Sequence, residues 1–416
     1  MLDKAQLLKS AANFRHGIIL PPQAVDNLPS DIDRFFNAGI PQNTSEPWKS
    51  ASGGVGRNLK DAETAAIGEA LERYAAYACQ IPRKKVTEIP KSSTLNLSQF
   101  SLFSQDQLNS SDFPYRHLYD DRAIAYTNAF SLYDNAESWV PKDLISLSAD
   151  SGSIISTSSG LAAGPSIYHA ILRALQEILE RDALMITWLH SIPAQKVSLP
   201  SAYLKEITDK KGEAYCLDIT QDFNPFPVAI VTGSIPVRGR PRISLGSACR
   251  ESWAEAVEKA FLEWAQGVSF TSYYLAYNPE VSFKNYLDVR TFDDHAVYYT
   301  LYPNEWNKVA LTKGQISSKI SNPDNFKNIS PSHQLSRALE KLKKANIRLF
   351  YRDLTTPDLR QIGVSVVRVL SPDLAPIHCD TQYPFLGGTV KNVLWRYPWA
   401  KNYQLKFPNP MPHPLG

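Results

Sequence analysis

Between Ala65 and Ala78 the chain reads AAIGEALERYAAYA, and Glu69, Glu72 and Arg73 are its only charges. Residues three and four apart share one helix face, so these three side chains point the same way. A solvated ion-pair face would continue for a turn or two in each direction. Here Ala65 and Ala76, seven residues from Glu72 and Glu69, are apolar. The charges form a polar island on a helix that otherwise reads as buried. Buried charges require partners or a metal. Arg73 can neutralise one glutamate, which leaves the other in need of a cation.

The pattern recurs. ILRALQEILERDALMITW carries Arg173, Glu177, Glu180, Arg181 and Asp182 among Leu, Ile, Met and Trp. A third helix, AEAVEKAFLEWAQ, offers Glu263 and Gln266 beside Glu258 and Lys259. An amphipathic surface helix with Glu255–Lys259–Glu263 pairs explains that third segment equally well. Ser52-Gly53-Gly54 precedes the first island, and Ser158-Ser159-Gly160 precedes the second at a similar interval. Each reads as a small-residue loop followed by a helix, a duplicated unit facing a common ligand. Three helices presenting Glu-x-x-Glu or Glu-x-x-Gln suit hard cations, and Mg2+ pairs carboxylates with substrate phosphates. Glycine-containing loops let backbone amides approach those phosphates. Neither loop matches GxxxxGK[ST] or GxGxxG, so the familiar nucleotide folds are not indicated.

Helical periodicity is clearest at 60–80, 166–189, 252–276 and 332–345. Strand-like runs cover 123–132, 214–220, 228–235, 347–354 and 363–370. Such interspersion predicts a mixed α/β (α+β) architecture of sheets covered by helices. The stretches near 82–120 and 278–330 are polar and turn-rich and read as loops. Pro occupies every second position from Pro408 to Pro414, which predicts an extended, polyproline-like tail. The 416 residues carry 44 Lys plus Arg against 41 Asp plus Glu, with no basic stripe, so nucleic acid is not an expected partner. No apolar run approaches the ~18 residues that span a bilayer. MLDKAQLLKS lacks the apolar centre of a secretion signal, and cytoplasm is the expected location. Cys79, Cys216, Cys249 and Cys379 are scattered without any CxxC, which argues for reduced thiols and against a structural zinc.

SGGVGR (52–57), AAIGEALERY (65–74), TSSGLAAG (157–164), ALQEILERDALM (174–185) and EKAFLEWAQ (258–266) resemble, in order, the motifs of the YcaO family. Within it they look most like the azoline-forming cyclodehydratases of ribosomal peptide natural products. DLTTPDLRQIGVSVVRVLSPDLAPIH (353–378), YPFLGG (383–388) and the Pro-rich end fit as well. The resemblance runs from about residue 50 to the end. It implies a YcaO-like fold with an N-terminal segment over 1–48, a catalytic domain over 49–416 and a tail over 407–416. The nucleotide site would lie between helix-covered sheets.

The resemblance also implies ATP and Mg2+ as cofactors and a precursor peptide as substrate. In such enzymes a Cys, Ser or Thr side chain attacks the preceding carbonyl. The oxyanion takes the γ-phosphoryl of ATP, and phosphate leaves as a thiazoline or oxazoline ring forms. Carried over by motif, Glu69, Glu72, Glu177, Glu180 and Glu263 would be magnesium ligands. Arg73, Arg181, Ser159 and Gln266, with Glu69 and Glu177, would hold the nucleotide or orient the carboxylates. Pro412, Pro414 and Gly416 would bring the terminus to the reacting amide. The chain departs from the family pattern at Val55 (usually Lys), Ala65 (usually Ser), Ser159 (often Asn) and Lys259 (often Arg). Arg57 is the candidate replacement for the missing lysine. His295 reads as a satisfied core or loop histidine. With no CxxC module in view, a separate E1-like protein is expected to bind the precursor's leader. An azoline oxidase and a second copy of the chain are further candidate partners. Two alternatives stand beside this reading: the same ATP chemistry giving thioamide or macroamidine, and a non-catalytic peptide-binding scaffold.

Overall fold

The computed structural model describes residues 8–26, 28, 32, 35–41, 50–147, 154–317, 326 and 329–416. All its strand pairs are antiparallel, in three sheets. The first runs β1 (Gln23–Val25), β2 (Phe36–Pro41), β3 (Ser50–Gly56). The second has the order β5-β4-β11-β12-β6, with β4 (Tyr126–Ser131), β5 (Glu137–Pro141), β6 (Leu161–Gly164), β11 (Phe350–Asp353) and β12 (Ser365–Leu370). The third is ordered β10-β9-β8-β7, from β7 (Gln195–Val197), β8 (Glu213–Asp218), β9 (Val228–Val237) and β10 (Arg240–Cys249). Over its described residues the 1–48 stretch supplies β1 and β2 to the first sheet, and the boundary expected at 48/49 lies outside the described residues.

The longer helices are α1 (Leu59–Ala78), α2 (Ile167–Leu189), α3 (Ser201–Asp209), α4 (Trp253–Tyr277), α5 (Phe292–Leu301) and α6 (Pro331–Lys344). Three of them follow a strand directly and begin in the same way. Asn58, Ser166 and Ser252 each accept a hydrogen bond from the backbone three residues on, closing the first turns of α1, α2 and α4. Helix α1 packs on β3 and β2 and reaches β6 and β12; α2 packs on β12 and β6; α4 packs on β10 and β9. The approach is close. A Cβ at Gly54 of β3 would stand 2.2 Å from Ala62 O and Ala66 N of α1, so only glycine admits the helix there.

Two sequence readings need correction. The small-residue stretch before α1 is not a loop, since β3 runs through Ser52, Gly53 and Gly54, whereas Ser158, Ser159 and Gly160 form the turn that leads into β6. The duplicated unit is therefore strand–helix, and β10–α4 is its third copy. The 278–330 stretch, expected as loop, contains α5, whose residues His295, Val297, Tyr298 and Tyr299 are buried. The predicted helices at 60–80, 166–189, 252–276 and 332–345 are α1, α2, α4 and α6.

Candidate functional site

Where α1, α2 and α4 face one another, a cavity of about 770 Å3 opens. Helix α1 lines it with Glu69, Glu72 and Arg73, α2 with Glu177, Glu180 and Arg181, and α4 with Lys259, Glu263 and Gln266. Thr157, Ser158 and Ser159 form part of its wall, and Pro414, Leu415 and Gly416 of the tail another part. The three charged islands thus meet in one space. Gln266 crosses between units, its Nε2 lying 3.4 Å from where a Cβ of Gly53 would be.

Each carboxylate has a basic or hydrogen-bonding partner. Arg73 Nη2 stands 3.1 Å from Glu69 Oε1, and its Nη1 4.0 Å from Glu72 Oε1. Lys259 Nζ is 3.1 Å from Glu263, and Arg181 Nη2 is 3.9 Å from Glu177. Glu180 is 5% exposed and accepts from Ser247 Oγ (2.6 Å) and Cys249 N (3.1 Å). Burial, together with the nearby charge of Glu263, pushes Glu180 up from 4.5 to about 7. Burial and the charge of Glu177 raise Glu72 well above its ordinary range, against the pull of Arg73. Burial raises Glu177 too, opposed by Arg181, Arg73 and Arg368. Negative charge is therefore held here at a cost that a cation would relieve.

The donor set fits Mg2+. It consists of hard carboxylate oxygens aimed into a cavity, with Arg and Lys between them to meet phosphate. Among the described residues no three His, Cys, Asp or Glu side chains stand close enough to share one ion. Magnesium commonly takes only one or two carboxylates and completes its shell with phosphate oxygens and water, so separated carboxylates suit it.

Three expected residues sit differently. Arg57 is not among the lining residues: its guanidinium lies over the rings of Tyr203 (4.6 Å) and Phe261 (5.1 Å) and pairs with Glu206 (3.6 Å) and Glu258 (3.4 Å). Cation–π stacking on residues remote in sequence has drawn it behind α4. The Gly53 amide, expected to face phosphate, instead donates to Glu69 Oε2 at 3.0 Å. Pro412 is set back in the wall, its carbonyl accepting from Tyr299 Oη at 2.7 Å.

The tail is packed inward. Trp188 Nε1 donates to Met411 O (2.8 Å), and Asn409 N donates to Leu189 O (2.8 Å). His295 Nδ1 lies 2.7 Å from His413 O, and the two rings stack at 3.9 Å. His295 is thus satisfied in the core, as its sequence suggested. Arg173, Arg250, Phe270, Phe292 and Asp293 also line the cavity, and sequence reasoning gave them no role there. Phe292 lies where the tail reaches the cavity, its carbonyl oxygen 3.0 Å from where a Cβ of Gly416 would be, and only the tertiary approach of the tail to α5 brings them together.

A sequence model described as YcaO cyclodehydratase, ATP- and Mg2+-binding, matches residues 53–375. No curated protein matches the chain at a significant level. Among solved structures, one described as a heterocyclase in complex with substrate and cofactor superposes with a TM-score of 0.72 at 18% identity, covering 99% of this chain and 57% of its own. YcaO from Methanopyrus kandleri, bound with AMPPCP and Mg2+, gives 0.63 at 15% identity, with 92% and 91% covered. The E. coli microcin synthetase McbBCD complex gives 0.61 at 16%, with 87% and 90% covered. The chain thus spans little more than half the length of the first of these. The chain belongs to the YcaO cyclodehydratase family, whose cofactors are ATP and Mg2+.

Proposed function

We propose that this enzyme forms azolines, cyclising Cys, Ser or Thr residues of a ribosomally made precursor peptide onto the preceding backbone carbonyl. The observation that carries the reading is the meeting of Pro414, Leu415 and Gly416 with the carboxylates of α1, α2 and α4 in one cavity. ATP with Mg2+ supplies the phosphoryl group that converts an amide oxygen into a leaving group. Glu69, Glu72, Glu177, Glu180 and Glu263 would hold the ions, and Arg73, Arg181, Lys259, Gln266 and Ser159 would orient the nucleotide between them. Pro414, Leu415 and Gly416 would stand beside the reacting amide and help to orient it for attack by the thiol or hydroxyl. The stacked His295–His413 pair holds the tail in that place. Two solved relatives are described as a heterocyclase with its substrate and a microcin synthetase complex with pro-MccB17 bound, and these descriptions support a peptide substrate and a partner protein.

The test is mass spectrometry of a Cys/Ser/Thr-rich peptide encoded beside this chain, incubated with ATP, Mg2+ and the purified protein. Loss of one water per ring is the expected result. Exchange of an amide oxygen for sulfur would move the enzyme to thioamide formation, and an unchanged peptide with no ADP formed would leave a binding scaffold.

A further inference from the structure

One buried charge beside the cavity has no role in the account above. Arg368, on β12 between β11 and β6, is 2% exposed. Its guanidinium spends its donors on main-chain carbonyls: Nε on Leu144 (2.8 Å), Nη1 on Ser159 (2.6 Å) and Nη2 on Thr157 (2.5 Å). Thr157, Ser158 and Ser159 line the cavity from the other side. The turn is pinned again where Val369 N donates to Gly160 O at 2.8 Å and Leu161 N to Ser158 O at 3.0 Å. Gly160 has φ +81, and a Cβ there would meet Val369 O at 2.1 Å, so the turn cannot slide off β12 without losing its shape. Burial lowers Arg368 to about 10, which leaves it protonated at neutral pH, and Glu177 and Glu72 feel its charge.

In a trans peptide group the N–H points opposite to the C=O. Carbonyls of Thr157 and Ser159 drawn down onto Arg368 therefore turn the amides of Ser158 and Gly160 away from it. Two amides of one short turn, those of Ser158 and Gly160, are thereby left as donors on the side away from Arg368, where an anion can accept from them. We propose that Arg368 is a positioning residue for the nucleotide, holding the Thr157–Gly160 turn so that its amides and hydroxyls face the phosphates. This rests on the reading that the cavity holds magnesium nucleotide.

The test uses the full chain with Arg368→Lys, which keeps the charge but not the three-point fork, and Arg368→Gln, which keeps neither. Binding of AMPPCP with Mg2+ and of adenosine, which has no phosphates, is measured for each, with thermal melting as a check on folding. AMPPCP affinity should fall about tenfold or more in both variants, the scale of a lost charge-assisted fork, with adenosine affinity unchanged. In turnover, Arg368→Lys should raise the KM for ATP and leave kcat within about threefold, since uniform binding is what is lost. Equal losses for AMPPCP and adenosine would make Arg368 a strut of the fold, and no loss for either would remove it from the site. Should Arg368→Gln fail to fold, Arg368→Lys decides. Failure of the unsubstituted protein to bind AMPPCP would overturn the nucleotide reading itself, and this inference with it.

Discussion

Glu180 shows how one residue's surroundings set its chemistry. It sits on α2 amid core side chains, and its oxygens accept from Ser247 Oγ and the Cys249 amide. A carboxyl raised from 4.5 to about 7 by burial binds its proton more tightly in the fold than in the unfolded chain. Its ionisation therefore costs nothing below the unfolded value, a growing amount across the interval, and the full amount above about 7. Without Mg2+, thermal melts from about pH 5 to about pH 8 should show the unsubstituted protein losing stability relative to Glu180→Gln. Parallel curves would mean that Glu180 is not desolvated. With Glu180 in its proposed place as a magnesium ligand, the same substitution should cut nucleotide-dependent turnover by about 100-fold or more, while the folded protein still melts cooperatively. The glutamates were legible in the sequence because a charge inside an apolar helix contradicts its neighbours. Arg368 broke the run VVRVL in the same way, yet no motif assigned it a partner, since the carbonyls it binds are over 200 residues away. Arg57 was misjudged for a related reason: Tyr203 and Phe261, which hold it, are distant in sequence.

Among the elements, the long helices could be read from periodicity, and the strands beside the cavity could not. Strands β3 and β6 read SASGGVG and LAAG, with small residues where β-branched ones would signal a strand. Those small residues let α1 and α2 lie against the sheets, so the packing requirement erased the propensity signal. Helix α5, FDDHAVYYTL, is short and rich in β-branched and aromatic residues, and only its capping box, Thr291 with Asp294, marks its start. The tail it receives was legible in its alternating prolines, although the partners were not. His378 is pushed down to about 3 and His413 well below its ordinary value by burial and by neighbouring histidines. A histidine lowered in the fold resists charging there, so stability is lost as pH falls through the ordinary value of 6.5. Hydrogen exchange at residues 409–416, corrected for intrinsic rates, should be faster at about pH 5.5 than at about pH 7.5. Equal protection would show that these rings do not hold the tail. A short Gly/Ser extension after Gly416 should abolish ring formation while AMPPCP binding persists. Undiminished ring formation would make the tail a packed end with no part in the chemistry.

The whole molecule places three strand–helix units around one cavity, and its size limits what the chain can grip. At about 770 Å3 it falls in the range that holds one small-molecule ligand. Only a short length of peptide then contacts the site, and a few residues give weak affinity after their ordering entropy is met. A precursor held at a second point by another protein would present its reacting residues at high effective concentration. The chain alone should therefore modify a full-length precursor slowly, and no faster than its leaderless core. A separate leader-binding protein should raise the rate on the full-length precursor by about 100-fold or more, the usual gain from tethering, and leave the leaderless core unchanged. The measurement is the initial rate of water loss for both peptides, with and without the partner. Fast modification of the full-length precursor by the chain alone would mean that it carries its own leader site, and the partner would drop out of the mechanism.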